Sequence, residues 1–366
     1  MNELYYYWLH NVPGIGRHTY QRMLQYVTPE ELYKGGIEKV NHLLRDNQKE
    51  NILESINNCN IYKEWEILQK RGIEVLGLLE KNYPEKLSQI NDPPPILYCK
   101  GKKEILNKAS VAVIGARGCS NYGSLVAKEL GRQLAAMGIV VVSGMARGID
   151  SICQTACLES GGESIGVLGS GVEVCYPPEN KGLYEELQAK GALVSENLPF
   201  TKPAPGLFPL RNRIISGLAD IVVVVQAREK SGTLITVDMA LEQGKEVYAI
   251  PGRITDELSK GCNRLLKQGA GMLYSIEDFL MEICPQLQVK YEKEIEEITP
   301  NLTPEEKVVL KIVDVTYKTM EEIYSGIKKE YSSITIVRLM ELLLGLQMKQ
   351  ILKEEGGYYC RLKLKK

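Results

Sequence analysis

The chain has 366 residues, 44% of them hydrophobic, and a formal net charge of −1; the length allows two or three domains with a real core, and the charge excludes a global pull on polyanions, so any nucleic-acid surface must be a local cluster. Nine cysteines are scattered without a CxxC pair; Cys153 and Cys157 stand one helical turn apart but lack the second pair of a closed zinc site, so neither metal nor cofactor is expected. Free cysteine spacing fits a reducing compartment, and no run of about 18 apolar residues offers a membrane span, so a cytoplasmic protein without membrane contact is expected.

Residues 1–95 read mostly as helix. VPGIG, Val12 to Gly16, sits between two amphipathic segments and makes a tight hairpin. It packs two helices, or it offers N–H groups to a phosphate with Arg17 and His18 alongside. NDPPPILYCKG, residues 91–101, is a stiff extended lead-in. From about 108 to 283 strands alternate with helices. Val111 to Ile114 is an apolar β-branched run closed by Gly115 and a polar turn. A helix follows with Leu125, Leu130, Leu134 and Met137 about one face, ending at Gly138. Strands are expected at Ile139 to Val142, Ser164 to Leu168, Ala192 to Val194, Ile221 to Val225 and Glu246 to Ile250. Helices are expected from near Ile149, near 180–190, over Phe208 to Leu218 and over 233–243. Such alternation means an α/β fold with a doubly wound parallel sheet, its strand ends opening on one edge. Residues 286–300 are charged and read as a linker. Beyond it, Thr303 and Glu306 form a capping box, helices follow near 319–329 and Thr335 to Leu346, and a hairpin turns at Gly356-Gly357. Three helices and a hairpin spell a winged helix. Its basic tail, Arg361, Lys363, Lys365 and Lys366, suits DNA, while its many glutamates suit a protein partner.

The chemistry is concentrated at the strand ends. A dinucleotide enzyme wants G-x-G-x-x-G after the first strand and an acid after the second; here stand GARGCSNYG and Ser143. SGTLIT, Ser231 to Thr236, resembles the GGxGTxxE signature of lysine-decarboxylase-like phosphoribohydrolases. The glutamate of that signature would be the catalytic carboxylate, and Thr236 takes its place. A nucleotide phosphoribohydrolase is therefore the alternative reading, and no catalytic residue is assigned. What remains is a set of phosphate cradles without a catalyst. Arg117, Arg147, Arg211 and Arg213 all lie in turns or short helices at the strand ends, joined by Ser231, Thr233 and the glycines Gly115 and Gly232. Phe208 or Tyr122 is placed to stack a base. Asn212 and Arg213 have a competing role in bracing the loop after Pro209. Asp150 is read as orienting the helix that it begins, and Glu196 as an ion-pair partner for one of the arginines.

GARGCSNYG, SGMARGID, GSGVEVCYPPEN, FPLRNRIISGL, SGTLITVDMALEQGKEVYAIPG and GCNRLLKQGA, in that order, resemble the DNA-processing protein A (DprA/Smf) family of bacteria. The resemblance implies a Rossmann-like core over 96–285. It also implies flanking domains: a sterile-alpha-motif or helix-hairpin-helix-like unit over 1–95 and a winged helix over 301–366. It implies a non-catalytic protein that binds single-stranded DNA, forms a homodimer, protects incoming DNA and loads the RecA recombinase onto it during natural transformation. Carried over by motif, Arg117 and the segment around Gly206, Phe208, Arg211 and Arg213 should contact phosphate. Some members carry a lysine where this chain has Pro205. For the dimer, Leu265, Leu266, Ile276, Phe279 and Leu280 are the expected face.

Overall fold

The computed structural model describes residues 2–58, 60–289, 302–313, 318–331, 333–349 and 351–361. Most of the expected linker and the basic tail beyond Arg361 lie outside these. The chain divides into two units, 1–292 and 293–366.

The first unit is built on nine strands: β1 (Ile73–Gly77), β2 (Ile96–Gly101), β3 (Ser110–Ile114), β4 (Val140–Ser143), β5 (Ser164–Val167), β6 (Ala192–Ser195), β7 (Ile221–Val224), β8 (Glu246–Ala249) and β9 (Gly271–Met272). Their order across the sheet is β1-β2-β6-β5-β4-β3-β7-β8-β9. From β6 to β9 every pairing is parallel; β1 and β2 are added antiparallel at one side. The chain walks outward from β3 to β6, crosses back, and continues from β7. The strand order therefore reverses between β3 and β7, which is where loops of a parallel sheet part and leave a crevice.

Alternation along the strands sorts side chains onto two faces. Val111 and Val113 of β3 point into one apolar layer with Ala127, Leu130, Leu134, Cys153 and Phe279. Ala112 and Ile114 point into the opposite layer with Ile214, Leu218, Val237 and Leu265. Both faces of the central strands are thus dry, which is why they read as unbroken β-branched runs. Burial pushes the thiol of Cys157 up to about 12 and that of Cys153 well above its ordinary value.

The Asn121–Ala136 helix shows how local signals set an element. Ser120 caps it, accepting from Gly123 N–H at 3.2 Å. Gly138, at φ +67°, ends it by letting Ile139 N–H reach Leu134 O at 3.0 Å. One expectation fails here: Leu125 is 68% exposed, and Ala127 holds its place on the buried face beside Leu130, Leu134 and Met137.

The N-terminal segment is not all helix. β1 lies within it, and its helices share one apolar cluster with strand residues Val75, Ile96 and Tyr98. The residues expected at the dimer face lie mostly inside the chain. Leu265, Phe279 and Leu280 are buried in the chain's own layers, with Leu266 and Ile276 packed against them. The apolar residues that stand open beside them are Met272 and Tyr274, 55% and 71% exposed.

In the second unit, the Pro304–Ile312, Met320–Glu330 and Ile336–Met348 helices enclose a core that includes Val309, Ile323, Leu339 and Leu343. Thr303 with Glu306, and Thr319 with Glu322, form complete capping boxes. The hairpin, β11 (Leu352–Glu355) and β12 (Tyr358–Arg361), gains a third strand from β10 (Lys318–Thr319). Among the described residues, no helix is long and apolar enough to cross a membrane, and no group of three or more His, Cys, Asp or Glu residues is placed to hold a metal ion.

Candidate nucleic-acid interface

The parallel pairing puts the C-terminal ends of β3 to β8 on one edge, and the motif loops gather there. The first two turns are locked together. Gly148, at φ +78°, lies so close to the first turn that a Cβ would fall 2.3 Å from Ala116 O and 2.5 Å from Arg117 O. Ile149 N–H donates to Ala116 O at 3.3 Å, and the Ile149 side chain fills the space where a Cβ of Gly115 would stand. On the other side of the crevice Thr233 Oγ1 donates to Gly115 O at 3.2 Å. Three loops from three strand ends therefore meet at Gly115.

Arg117 is exposed on this assembly and makes no ion pair among the described residues. Arg147 is also exposed, but Glu179 holds it at 2.5 Å. Gly232 opens the Gly232–Glu242 helix, with its N-cap Ser231 leaving the helix end without a side-chain cap; Ser231 Oγ has no hydrogen-bond partner. An uncapped helix start with orphan N–H groups is a ready anion seat. Thr236, about one turn further along the helix, is 3% exposed and packed inside.

Arg211 and Arg213 are placed otherwise than expected. Both are buried, 6% and 5% exposed, on the Leu207–Leu218 helix. Arg211 Nη1 donates to Gly144 O at 2.7 Å, just past the end of β4, and to Val167 O, at the last residue of β5. Its guanidinium occupies the place a Cβ of Gly144 would need. Burial pulls Arg211 down to about 10, with Asp150 opposing and the charge of nearby Arg117 adding to the fall. Asp150 is itself buried and accepts from Gly144 N–H at 3.1 Å. Burial raises its pKa against the pull of Arg211 and of hydrogen bonds from Ser143, Gly144 and Ala146. Arg211 and Asp150 thus hold the second turn in place from beneath. Arg213 forks onto Glu196 at 2.8 and 2.6 Å and reaches Asp92 through Nε at 3.1 Å. Burial alone would lower Arg213, but Glu196 and Asp92 more than offset it and its pKa is raised. Neither guanidinium stands open in the fold: a buried charge needs acceptors, and both arginines find them within the chain, with only Arg211 Nε left without one. The expected bracing roles of Glu196 and Arg213 are what the structure shows.

Gly206 is exposed at the uncapped start of the same helix, with Asn212 half-buried on it. Phe208 is half-buried, its ring against Gly169 and 5.4 Å from the ring of Tyr176. Tyr122 is 50% exposed beside the first turn. Two features of this edge escaped the sequence reading. Tyr176, 40% exposed, sits in GSGVEVCYPPEN, a loop without periodicity to show which side chains face outward. Gln226 clamps the first turn: Ser120 N–H donates to its Oε1 at 2.9 Å, and its Nε2 donates to Ser120 Oγ at 2.8 Å. The available signal was a lone amide directly after a five-residue apolar run.

This arrangement defines a class: a mixed α/β protein with a mostly parallel central sheet, whose glycine turns gather where the strand order reverses. Residues 74–284 match the family described as DNA recombination-mediator protein A. The DNA processing protein DprA of Bacillus subtilis is 41% identical over 224 residues, which are 61% of this chain and 75% of that protein. DprA of Streptococcus pneumoniae is 42% identical over 206 residues, 56% of this chain and 73% of that one. Among solved structures, DNA processing protein A from Streptococcus pneumoniae superposes with a TM-score of 0.66 at 32% identity, covering 76% of this chain and 97% of that chain. The Helicobacter pylori protein, whose structure concerns its single-stranded DNA binding mode, gives 0.54 at 31% identity over 58% and 96%. The chain belongs to the DprA/Smf family of DNA-processing proteins.

Proposed function

We propose that this chain binds single-stranded DNA along the C-terminal edge of its sheet, without catalysis, and delivers the strand to the RecA recombinase during transformation and recombination. The observation that carries the reading is Arg117: an exposed arginine with no ion pair among the described residues, on a turn held rigid by Gly148, Thr233 and Gln226. A free guanidinium on a rigid turn, with orphan helix N–H groups on the same edge, suits a backbone phosphate. Arg147, Gly115, Gly206, Ser231, Gly232 and Thr233 complete the edge. Phe208 with Tyr176 supplies a stacking surface of the kind single-strand binders use. Arg211, Asn212 and Arg213 act as the support of this edge. The single-strand binding mode described for the Helicobacter pylori relative supports the same choice.

In this reading 96–285 is a Rossmann-like core, 1–95 a helical sterile-alpha-motif or helix-hairpin-helix-like domain, 286–300 a linker and 301–366 a winged helix. The protein works in the cytoplasm as a homodimer, for which exposed Met272 and Tyr274 at the β9 side are the proposed face. A shift assay with single-stranded and duplex oligonucleotides of one sequence, repeated over a salt series, tests the function. Preference for the single strand is expected; equal affinity for both forms would refute it. Nucleoside monophosphates incubated with the chain are expected to remain intact, because Thr236 has no carboxylate to offer.

A further inference from the structure

The N-terminal part of the first unit contains a cavity of about 390 Å³ whose walls include Gly14, Gly16, Arg17, His18, Arg22 and Arg45, and no carboxylate. In a chain whose net charge is −1, three arginines around one hollow, of which only Arg17 is ion-paired among the described residues, are a local excess. Arg22 and Arg45 are exposed, and neither makes an ion pair among the described residues. Arg17 is anchored: its Nη2 lies 3.0 Å from Asp92 Oδ2 and donates to His18 Nε2 at 3.4 Å, while its Nη1 lies 4.0 Å from Glu196 Oε2 without a hydrogen bond.

The backbone around the hollow is sorted in the same sense. Gln48 and Asn51 donate their side-chain amides to Gly14 O and Pro13 O at 2.8 and 2.9 Å, so the two carbonyls at the tip of the VPGIG hairpin are already engaged. The Arg17–Leu24 helix has no side-chain cap, and its first internal bond is from Tyr20 N–H to Gly16 O. The N–H groups of Arg17, His18 and Thr19 precede that bond and have no helical partner. Arg22, Arg45 and the free N–H groups are the unspent donors of the hollow, while the carboxylates at its margin, Asp92 and Glu196, both lie on Arg17.

We propose that this cavity is a second phosphate site, taken by a backbone phosphate of the same single strand that lies on the sheet edge. The link is physical. Asp92 joins Arg17 to Arg213, and Arg213 forks onto Glu196 directly after β6, so the cavity is braced against the strand-end edge. A strand leaving the edge has a prepared cationic seat beside it. The inference rests on the single-strand reading above, and its test separates the two.

The test uses the full chain with Arg22→Gln and Arg45→Gln together, both exposed, so folding is preserved. Lys34→Gln with Lys39→Gln is the control of equal charge, since those lysines pair with Glu30 and Glu31. Affinity for a long single strand and for a duplex is measured over a salt series, with Arg117→Ala alongside. The arginine pair is expected to weaken single-strand binding and flatten the slope of log affinity against log salt by about 1.4, or about 0.7 for each lost contact; the lysine pair should leave both unchanged. If only Arg117→Ala weakens binding, the second site is refuted and the sheet-edge reading stands. If the arginine pair acts on the duplex alone, the single-strand assignment is refuted. If inorganic phosphate protects the wild-type cavity from arginine-directed labelling while the slope with DNA is unchanged, the hollow is a free-phosphate site and the inference fails. If the wild type binds no single strand, both readings fall.

Discussion

At the scale of single residues, the two kinds of arginine on the strand-end edge make opposite predictions. Arg117 is exposed and unspent within the fold, so Arg117→Ala should leave the melting temperature nearly unchanged, surface substitutions usually costing within about 0.5 kcal/mol. It should weaken single-strand binding at every sequence and reduce the salt slope by about 0.7. Arg211 is buried over Asp150 and two carbonyl oxygens. Arg211→Ala would strip those two carbonyls of a charged donor and remove the nearby positive charge that favours the Asp150 carboxylate, and should cost about 3–5 kcal/mol, read by denaturant unfolding. His10 gives a pH prediction. Burial lowers its pKa from 6.5 to about 4, and its Nδ1 lies 2.8 Å from Tyr98 Oη. The unfolded chain binds that proton at higher pH than the folded one. Stability is therefore full above pH 6.5 and is lost progressively as the pH falls towards about 4. The loss amounts to at most about 3 kcal/mol. His10→Gln should flatten the stability profile across that window, measured by urea unfolding at successive pH values.

At the scale of elements, the apposed turns are the fragile joint. Gly148 combines a positive φ with carbonyl oxygens at 2.3 and 2.5 Å from any added Cβ. Gly148→Ala should push the first and second turns apart, lower the melting temperature, and remove single-strand binding even with Arg117 intact. Retained affinity in a Gly148→Ala protein would mean that the turn geometry is not what positions Arg117. The elements themselves were largely legible. The apolar, β-branched runs at 111–114 and 221–224 announced buried strands, and the Thr303–Glu306 box announced its helix. β1 escaped because IEVLG is short, and only pairing with β2 across an intervening loop makes it a strand. β9 and β10 have two residues each and carry no periodic signal at all. For the site, the glycine turns were legible as turns, because polar glycine-bearing segments followed apolar strands. The burial of Arg211 and Arg213 was not. It depends on the space left by Gly144 and on acids at Asp150, Glu196 and Asp92, which only the folded chain brings together. Exposed and spent arginines look the same in a sequence.

At the scale of the molecule, the two units make a prediction about truncation. A chain ending at 292 should fold with the melting temperature of the same segment in the full protein, since 293–366 has its own core. A piece beginning at residue 102 should not. It would lose β1 and β2, bare the edge of β6, and leave Val172 without the N-terminal cluster into which it packs. Circular dichroism melts of the two truncations check both statements.

The central claim is that single-stranded DNA lies across the turns gathered at Gly115. Hydrogen–deuterium exchange of the full chain, with and without a saturating thymidine oligonucleotide, tests it most directly. The amides of 115–123, 144–149 and 231–234 should slow on binding, because phosphates would occupy the donors of those turns and helix starts. Protection confined to 302–361, with these three segments exchanging as in the free protein, would contradict the account.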